Sequence, residues 1–151
     1  MIITKNLTLQ ELIDSNTAKA KGIDNSPTNE HLRDLIEIAN NIFQPLRDGI
    51  GKPIRISSGY RSEKLNKAVG GSKTSQHNKG QALDLVATTG FTNKDIFDYI
   101  KKHLEFDQMI WEFGTDKNPD WVHVSYVSPQ QNRNRCLKAY KENGKSKYKI
   151  I

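Results

Sequence analysis

Two histidines and one aspartate in this sequence have the side chains and the spacing of a metal site. His77 and Asp84 lie seven positions apart, separated by a polar loop and Gly80, and His123 follows in a second short segment. Imidazole nitrogens and carboxylate oxygens are good zinc ligands at about 2 Å, and a catalytic zinc takes three protein ligands and leaves one position open. We therefore expect His77, Asp84 and His123 to hold one zinc ion per chain.

Each of these residues also has an ordinary interpretation. His77 could be a polar residue of a flexible loop, and Asp84 and His123 could be unremarkable polar positions of two strands. The metal interpretation gains weight because loop and strands are expected to belong to one small sheet. Spacing alone leaves both interpretations open.

Alternating and helical patterns predict the elements that must position these residues. Alternation predicts strands at 54–58, 81–86, 107–113 and 121–127. Helical spacing and capping residues predict helices at 8–13, 30–46, 62–69 and 92–103, and the polar segment 15–29 is expected to be a loop. The last two strands are expected to form a hairpin, so the order predicts an α+β domain with a small antiparallel sheet and flanking helices.

Length and composition limit the class of protein. The 151 residues suit one domain, and a mean hydropathy of -0.71 with no long apolar run gives no membrane-spanning segment. A single cysteine, Cys136, excludes an internal disulfide and a cysteine-rich zinc module. The first residues lack a charged region followed by an apolar core, so we expect no signal peptide and synthesis in the cytoplasm.

The net charge of +6 comes from the C-terminal segment. Residues 133–149 contain seven basic residues and one acidic residue, and the remainder of the chain is neutral. Such a segment is either a solvated terminal strand or tail, or it attracts a polyanion such as nucleic acid or an anionic cell wall. It contains Tyr140 and Tyr148 but no nucleic-acid-binding motif, so we do not expect a nucleic-acid partner.

Three motifs carry a resemblance to a known family. The pattern is Ser75-x-His77-x-x-Gly80-x-Ala82-x-Asp84, followed by Trp121-x-His123 and preceded by Ser58-Gly59-Tyr60-Arg61-Ser62. It resembles the zinc peptidases that include D-Ala-D-Ala carboxypeptidases, D-Ala-D-Ala dipeptidases and phage L-alanyl-D-glutamate endopeptidases. The resemblance implies a hedgehog-like α+β peptidase fold, with a zinc peptidase domain at 1–132 and residues 133–151 as a basic extension of the same domain.

The resemblance also implies roles for individual residues. His77, Asp84 and His123 are implied as the zinc ligands, and Asp120, three residues before the last histidine, as the general base. Arg61 is implied to stabilise the oxyanion or to bind the substrate carbonyl. Glu112 is the alternative to Asp120 as the general base. Ser75 and Trp121 are expected to contact the substrate.

The implied function is zinc-dependent hydrolysis of peptidoglycan stem peptides. The resemblance leaves an endopeptidase and a carboxypeptidase open; we favour a monomeric endopeptidase of the phage-lysis type, released to the wall by another protein and held there by the basic segment. The first alternative is a non-catalytic wall-binding module stabilised by zinc. The second is a nucleic-acid-binding protein that uses its basic end.

Overall fold

A mixed six-stranded sheet is the centre of the protein, which is described over residues 1–151 by a computed structural model. The strands are β1 Ile2–Thr4, β2 Leu7–Thr8, β3 Ile54–Ser58, β4 Ala82–Ala87, β5 Gln108–Glu112, β6 Trp121–Ser125, β7 Arg135–Glu142 and β8 Lys145–Ile150. β1 and β2 form a separate antiparallel pair, and the large sheet has the order β3-β4-β6-β5-β7-β8. The α+β class is confirmed, but the large sheet is not purely antiparallel because β5 and β7 run parallel.

Six α-helices accompany the sheets. They are α1 Leu9–Ile13, α2 Asn16–Lys21, α3 Asn29–Ile38, α4 Gln44–Ile50, α5 Glu63–Ala68 and α6 Asn93–His103. A π-helical turn, Ala39–Phe43, joins α3 to α4 immediately before Pro45, where the missing N–H would interrupt a regular helix. No helix has the length and apolar character needed to cross a membrane.

The expected loop at 15–29 is wrong in its first half. The Ser15 side chain accepts a hydrogen bond from the Ala18 backbone and begins α2, which ends at Gly22 in the left-handed region with φ of 63°. Ala18 is buried on the inner side of this helix. A two-turn helix has too few residues to show apolar periodicity, so only its caps could have indicated it.

The two faces of the large sheet have different roles. Leu83 and Leu85 of β4 and Val122 and Val124 of β6 are fully buried in the main core, which the helices cover. Because successive strand residues point to opposite sides, the residues between them project to the other face. That face bears Asp84 and His123 and forms the floor of a cleft.

The basic C-terminal segment is part of the sheet. β7 pairs with β5 along its length, and β8 pairs with β7 as a hairpin that ends the chain. Cys136 and Ala139 of β7 are buried, and the Arg133 guanidinium binds the buried Asp107 carboxylate through two N–H···O contacts of 2.8 and 3.0 Å. Of the two forms expected, a solvated terminal strand or a tail, the structure has strands, and they are paired within the sheet.

Candidate metal centre

A short 3-10 turn, Gln76–Lys79, holds His77. The Ser75 hydroxyl accepts a hydrogen bond from the His77 backbone N–H, and the turn ends at Gly80 with φ of 74°. A Cβ at Gly80 would lie 2.5 Å from the His31 carbonyl oxygen, so the close approach of this turn to α3 requires glycine. The result is a loop histidine that is only 1% exposed.

One backbone hydrogen bond fixes the orientation of the His77 ring. Nδ1–H donates to the Gly59 carbonyl oxygen at 2.7 Å. Gly59 itself lies against Leu12, where a Cβ would come within 2.3 Å of the backbone oxygen. The other ring nitrogen, Nε2, is buried and has no hydrogen-bond partner. An N–H donated to a backbone carbonyl is the usual support of a metal-binding histidine, and it leaves the Nε2 lone pair free for a ligand.

Sheet register brings Asp84 and His123 together beside His77. The two residues are direct neighbours across β4 and β6. Asp84 Oδ1 lies 3.0 Å from His123 Nδ1 and 3.3 Å from His77 Nε2. Burial by itself raises the pKa of Asp84, but the two histidines outweigh it and hold this pKa well below its usual range. The carboxylate is therefore ionised and available as a ligand.

The three side chains fit a zinc ion. Their ligand atoms all lie within 4.8 Å of one another. The donors are two imidazoles and one carboxylate, which is a three-ligand set of the kind that catalytic zinc sites use. The buried Nε2 without a partner is explained by a metal at this point, because an unpaired buried polar atom is otherwise costly.

The three residues lie in a cleft of about 900 Å³. Arg61, Ser75, Glu112 and Trp121 also line it. A second cavity of about 640 Å³ lies beside α1, α2 and β3, and it shares Asp84 and Arg61 with the first. The candidate site therefore has open space on two sides.

Glu112 is the second carboxylate that lines the cleft, in addition to Asp84. It ends β5 and is 7% exposed. Burial raises the pKa of Glu112 to about 7, with His123 lowering it and Asp84 raising it. A buried carboxyl group whose pKa lies near neutrality suits a general base.

Asp120 is the residue that the resemblance implies as the general base. Asp120 is exposed in the turn before β6 and is not among the residues that line the cleft. Its backbone carbonyl accepts a hydrogen bond from Asn93 of α6, which lies on the helical side of the sheet.

The other predicted site residues do line the cleft. The Arg61 backbone N–H donates to the His77 carbonyl oxygen at 3.1 Å, and the buried Arg61 Nε has no hydrogen-bond partner. Burial lowers the pKa of Arg61, and Asp84 raises it. Ser75 has a structural part as the cap of the turn, and the Trp121 ring packs on Phe113 with centroids 5.7 Å apart.

Asp107 supports the site and was not predicted from the sequence. Its carboxylate accepts a hydrogen bond from Gln76 Nε2 at 3.0 Å as well as those from Arg133. Burial raises the pKa of Asp107, but the bonds from Arg133 and Gln76 outweigh it and keep this pKa low. The carboxylate thus joins the turn that holds His77 to the start of the C-terminal segment. Only the folded chain brings these three residues together.

Comparison with known proteins gives one family. No curated protein matches the chain at a significant level. The model of the peptidase M15 family matches residues 5–125, which includes all three candidate ligands as well as Arg61 and Glu112. Since this match covers most of the chain and the three donor side chains converge inside it, the chain belongs to the peptidase M15 family.

Proposed function

We propose that this protein is a zinc-dependent peptidase that hydrolyses the stem peptides of peptidoglycan. The observation that carries the proposal is the buried His77 Nε2, which has no partner and lies beside Asp84 and His123 in an open cleft. Family membership supports peptide-bond hydrolysis and a hedgehog-like fold. The proposed place of action is the cell wall, after release from the cytoplasm as in phage-type lysis.

His77, Asp84 and His123 are the residues that would hold the metal. When bound, zinc acidifies a coordinated water and polarises the scissile carbonyl. We assign the base to Glu112, which takes the proton of the attacking water and delivers it to the leaving amine. We assign Arg61 to the carbonyl oxygen, where its unpartnered Nε–H can stabilise the developing negative charge.

An endopeptidase fits the cleft better than a carboxypeptidase. The two cavities of about 900 and 640 Å³ meet at Asp84 and Arg61, so a peptide can extend past the metal ligands in both directions. A carboxypeptidase needs a site that closes just beyond the scissile bond in order to recognise a terminal carboxylate. We therefore propose cleavage within the stem peptide, at a bond of the L-Ala-D-Glu type.

Digestion of purified muropeptides tests the proposal. The expected result is release of stem-peptide fragments, identified by mass spectrometry, with activity lost on chelation and restored by zinc. The same enzyme is expected to lower the turbidity of permeabilised cells. Bound zinc without any cleavage would instead indicate a non-catalytic wall-binding module.

We further propose that the basic face of β8 holds the enzyme on the anionic wall. Lys145, Lys147 and Lys149 alternate with the cleft-facing residues and are exposed. Reversing all three charges to glutamate is expected to weaken binding to purified cell walls by about tenfold and to reduce its salt dependence. Co-sedimentation across a salt series measures both quantities.

The control for wall binding reverses three exposed lysines elsewhere in the chain, namely Lys5, Lys21 and Lys117. Equal weakening in both variants would contradict a localised wall-binding face. Deletion of residues 133–151 is not a suitable test, because it removes two strands of the sheet and the partner of Asp107.

A further inference from the structure

We propose that the C-terminal hairpin β7–β8 supplies a carboxylate-binding subsite of the cleft, with Lys141 as the residue that pairs with an acidic group of the substrate peptide. The inference rests on the proposed peptidase function and assigns part of its specificity. The hairpin follows residue 125, the last residue that the family model matches, so Lys141 lies outside the matched part of the chain.

The face of the sheet that forms the cleft floor continues onto the hairpin, because the strands are paired in register. Trp121, Glu112, Ala139 and Tyr148 are successive neighbours across β6, β5, β7 and β8. Neighbouring strands are about 4.8 Å apart, so Tyr148 begins about 10 Å from Glu112. Ala139 between them is fully buried and packs with Leu137 and Phe113, so the hairpin is joined to the cleft floor by a packed apolar contact.

Tyr148 lies within electrostatic reach of the proposed base. Burial raises the pKa of its phenol, and the Glu112 carboxylate raises it further. The ring is still 54% exposed, and it lines the same cleft as His77 and His123. A half-exposed aromatic side chain in a cleft offers an apolar surface together with a hydrogen-bonding tip.

Lys141 is held in place but has no acidic partner. Its Nζ donates to the Ser146 hydroxyl at 2.9 Å and lies 5.2 Å from the centroid of the Phe113 ring. Ser146 is its direct neighbour across the hairpin, and both residues line the cleft. By contrast, Lys138 on the other face is neutralised by Asp116. Lys141 is therefore a positioned cation whose charge is available to a ligand.

Phe113 adopts an uncommon backbone conformation at this point. Its φ is 54°, which bulky residues rarely adopt and which is found where the surrounding structure imposes it. Its backbone N–H donates to the Ala139 carbonyl oxygen, and its ring packs on Trp121 and lies beneath the Lys141 ammonium. This backbone turn, immediately after Glu112, places an aromatic surface under the cation.

The side of the cleft formed by Lys141, Phe113 and Tyr148 favours a peptide with a free carboxylate. A lysine ammonium pairs with a carboxylate, and the rings of Phe113 and Tyr148 can contact the aliphatic part of the same residue. The other unpaired cation of the cleft, Arg61, lies beside Asp84 and is shared with the second cavity. The two cations thus serve different parts of an extended peptide.

The test compares two stem peptides that differ only in a carboxylate or a carboxamide on the acidic residue. Wild-type enzyme is expected to prefer the carboxylate peptide by about fivefold in kcat/KM, through KM, as for a partly exposed ion pair. Lys141→Met keeps the apolar stem over Phe113 and is expected to abolish this preference, by lowering kcat/KM for the carboxylate peptide to about the value for the carboxamide peptide. Lys147→Met, the matched control, removes the same charge from the opposite face of the hairpin and is expected to retain the preference.

Two results would overturn the subsite. One is a wild-type enzyme that cleaves both peptides equally well. The other is a Lys141→Met enzyme that keeps the full preference, which would assign the carboxylate to Arg61. If neither peptide is cleaved, the proposed function fails, and the same comparison made on dissociation constants by calorimetry still decides for or against the subsite.

Discussion

Replacing Glu112 by glutamine is expected to lower kcat by a factor of about 10² to 10⁴ while one zinc per chain remains bound. Glutamine keeps the shape of the side chain but cannot accept the proton of the attacking water. The metal should stay, because Glu112 is not one of the three residues whose donor atoms converge. Steady-state hydrolysis of a stem peptide measures the loss, and elemental analysis of the same preparation measures the zinc.

Asp120→Asn is the matched control for this prediction. Asp120 is exposed and outside the cleft, so its variant is expected to retain activity within about twofold. A large loss in Asp120→Asn with a nearly normal Glu112→Gln would return the base to the position that the family resemblance implies. Glu112 as the base and Asp120 as the base therefore predict opposite results for this pair of variants.

The pH profile gives a second measurement of the same role. A general base acts in its deprotonated form, so kcat/KM should fall as the pH falls through the pKa of Glu112. Burial raises this pKa to about 7, and a nearby dication stabilises the carboxylate and lowers it again. We therefore expect an acid limb below pH 7 that is absent from the residual activity of Glu112→Gln.

The converging residues could be predicted from the sequence because both their types and their setting were visible. Three side chains with zinc-binding atoms stood in short motifs, and alternation predicted the strands on which Asp84 and His123 are now neighbours. The sequence predicted only a polar loop around His77, whereas the structure has a buried turn that is capped by Ser75 and ends at Gly80 in the left-handed region. Family membership, also predicted from these motifs, is confirmed.

The base was harder to assign because two carboxylates flank the same turn between β5 and β6. Strand parity does not define the direction of the Asp120 side chain, because Asp120 lies in the turn before β6. Parity alone does not select Glu112, because the register of β5 against β6 decides which of its faces meets the cleft. That register pairs Glu112 with Trp121, which a single sequence does not reveal.

The C-terminal segment was predicted least well, because its many basic residues hid the alternation that is typical of a strand. Seven basic residues suggest a solvated terminal strand or tail, yet the alternate positions Leu137, Ala139 and Tyr148 form a face that continues the cleft floor. β7 pairs with β5 in parallel. This long-range pairing cannot be predicted from local sequence patterns. Charge on one face of a strand says little about the other face.

Replacing His123 by alanine is expected to remove zinc and activity together. His123 Nδ1 is one of the three converging donor atoms, and two remaining ligands hold zinc far more weakly than three. Wild-type protein should contain one zinc per chain, and zinc returned to chelator-treated protein should raise its melting temperature, because a ligand present at 100 times its Kd stabilises the folded state by about 2.7 kcal/mol. In His123→Ala both the bound zinc and this thermal shift should disappear.

His103→Ala is the control, since His103 is an exposed histidine on α6 that packs on Tyr99 outside the cleft. It is expected to keep the zinc content, the thermal shift and the activity of the wild type. A His123→Ala protein that still binds one zinc and cleaves stem peptides at the normal rate would contradict the metal centre. The assignments of Glu112 as the base and of Lys141 to a carboxylate subsite would fall with it, since both residues owe their roles to the cleft around that centre.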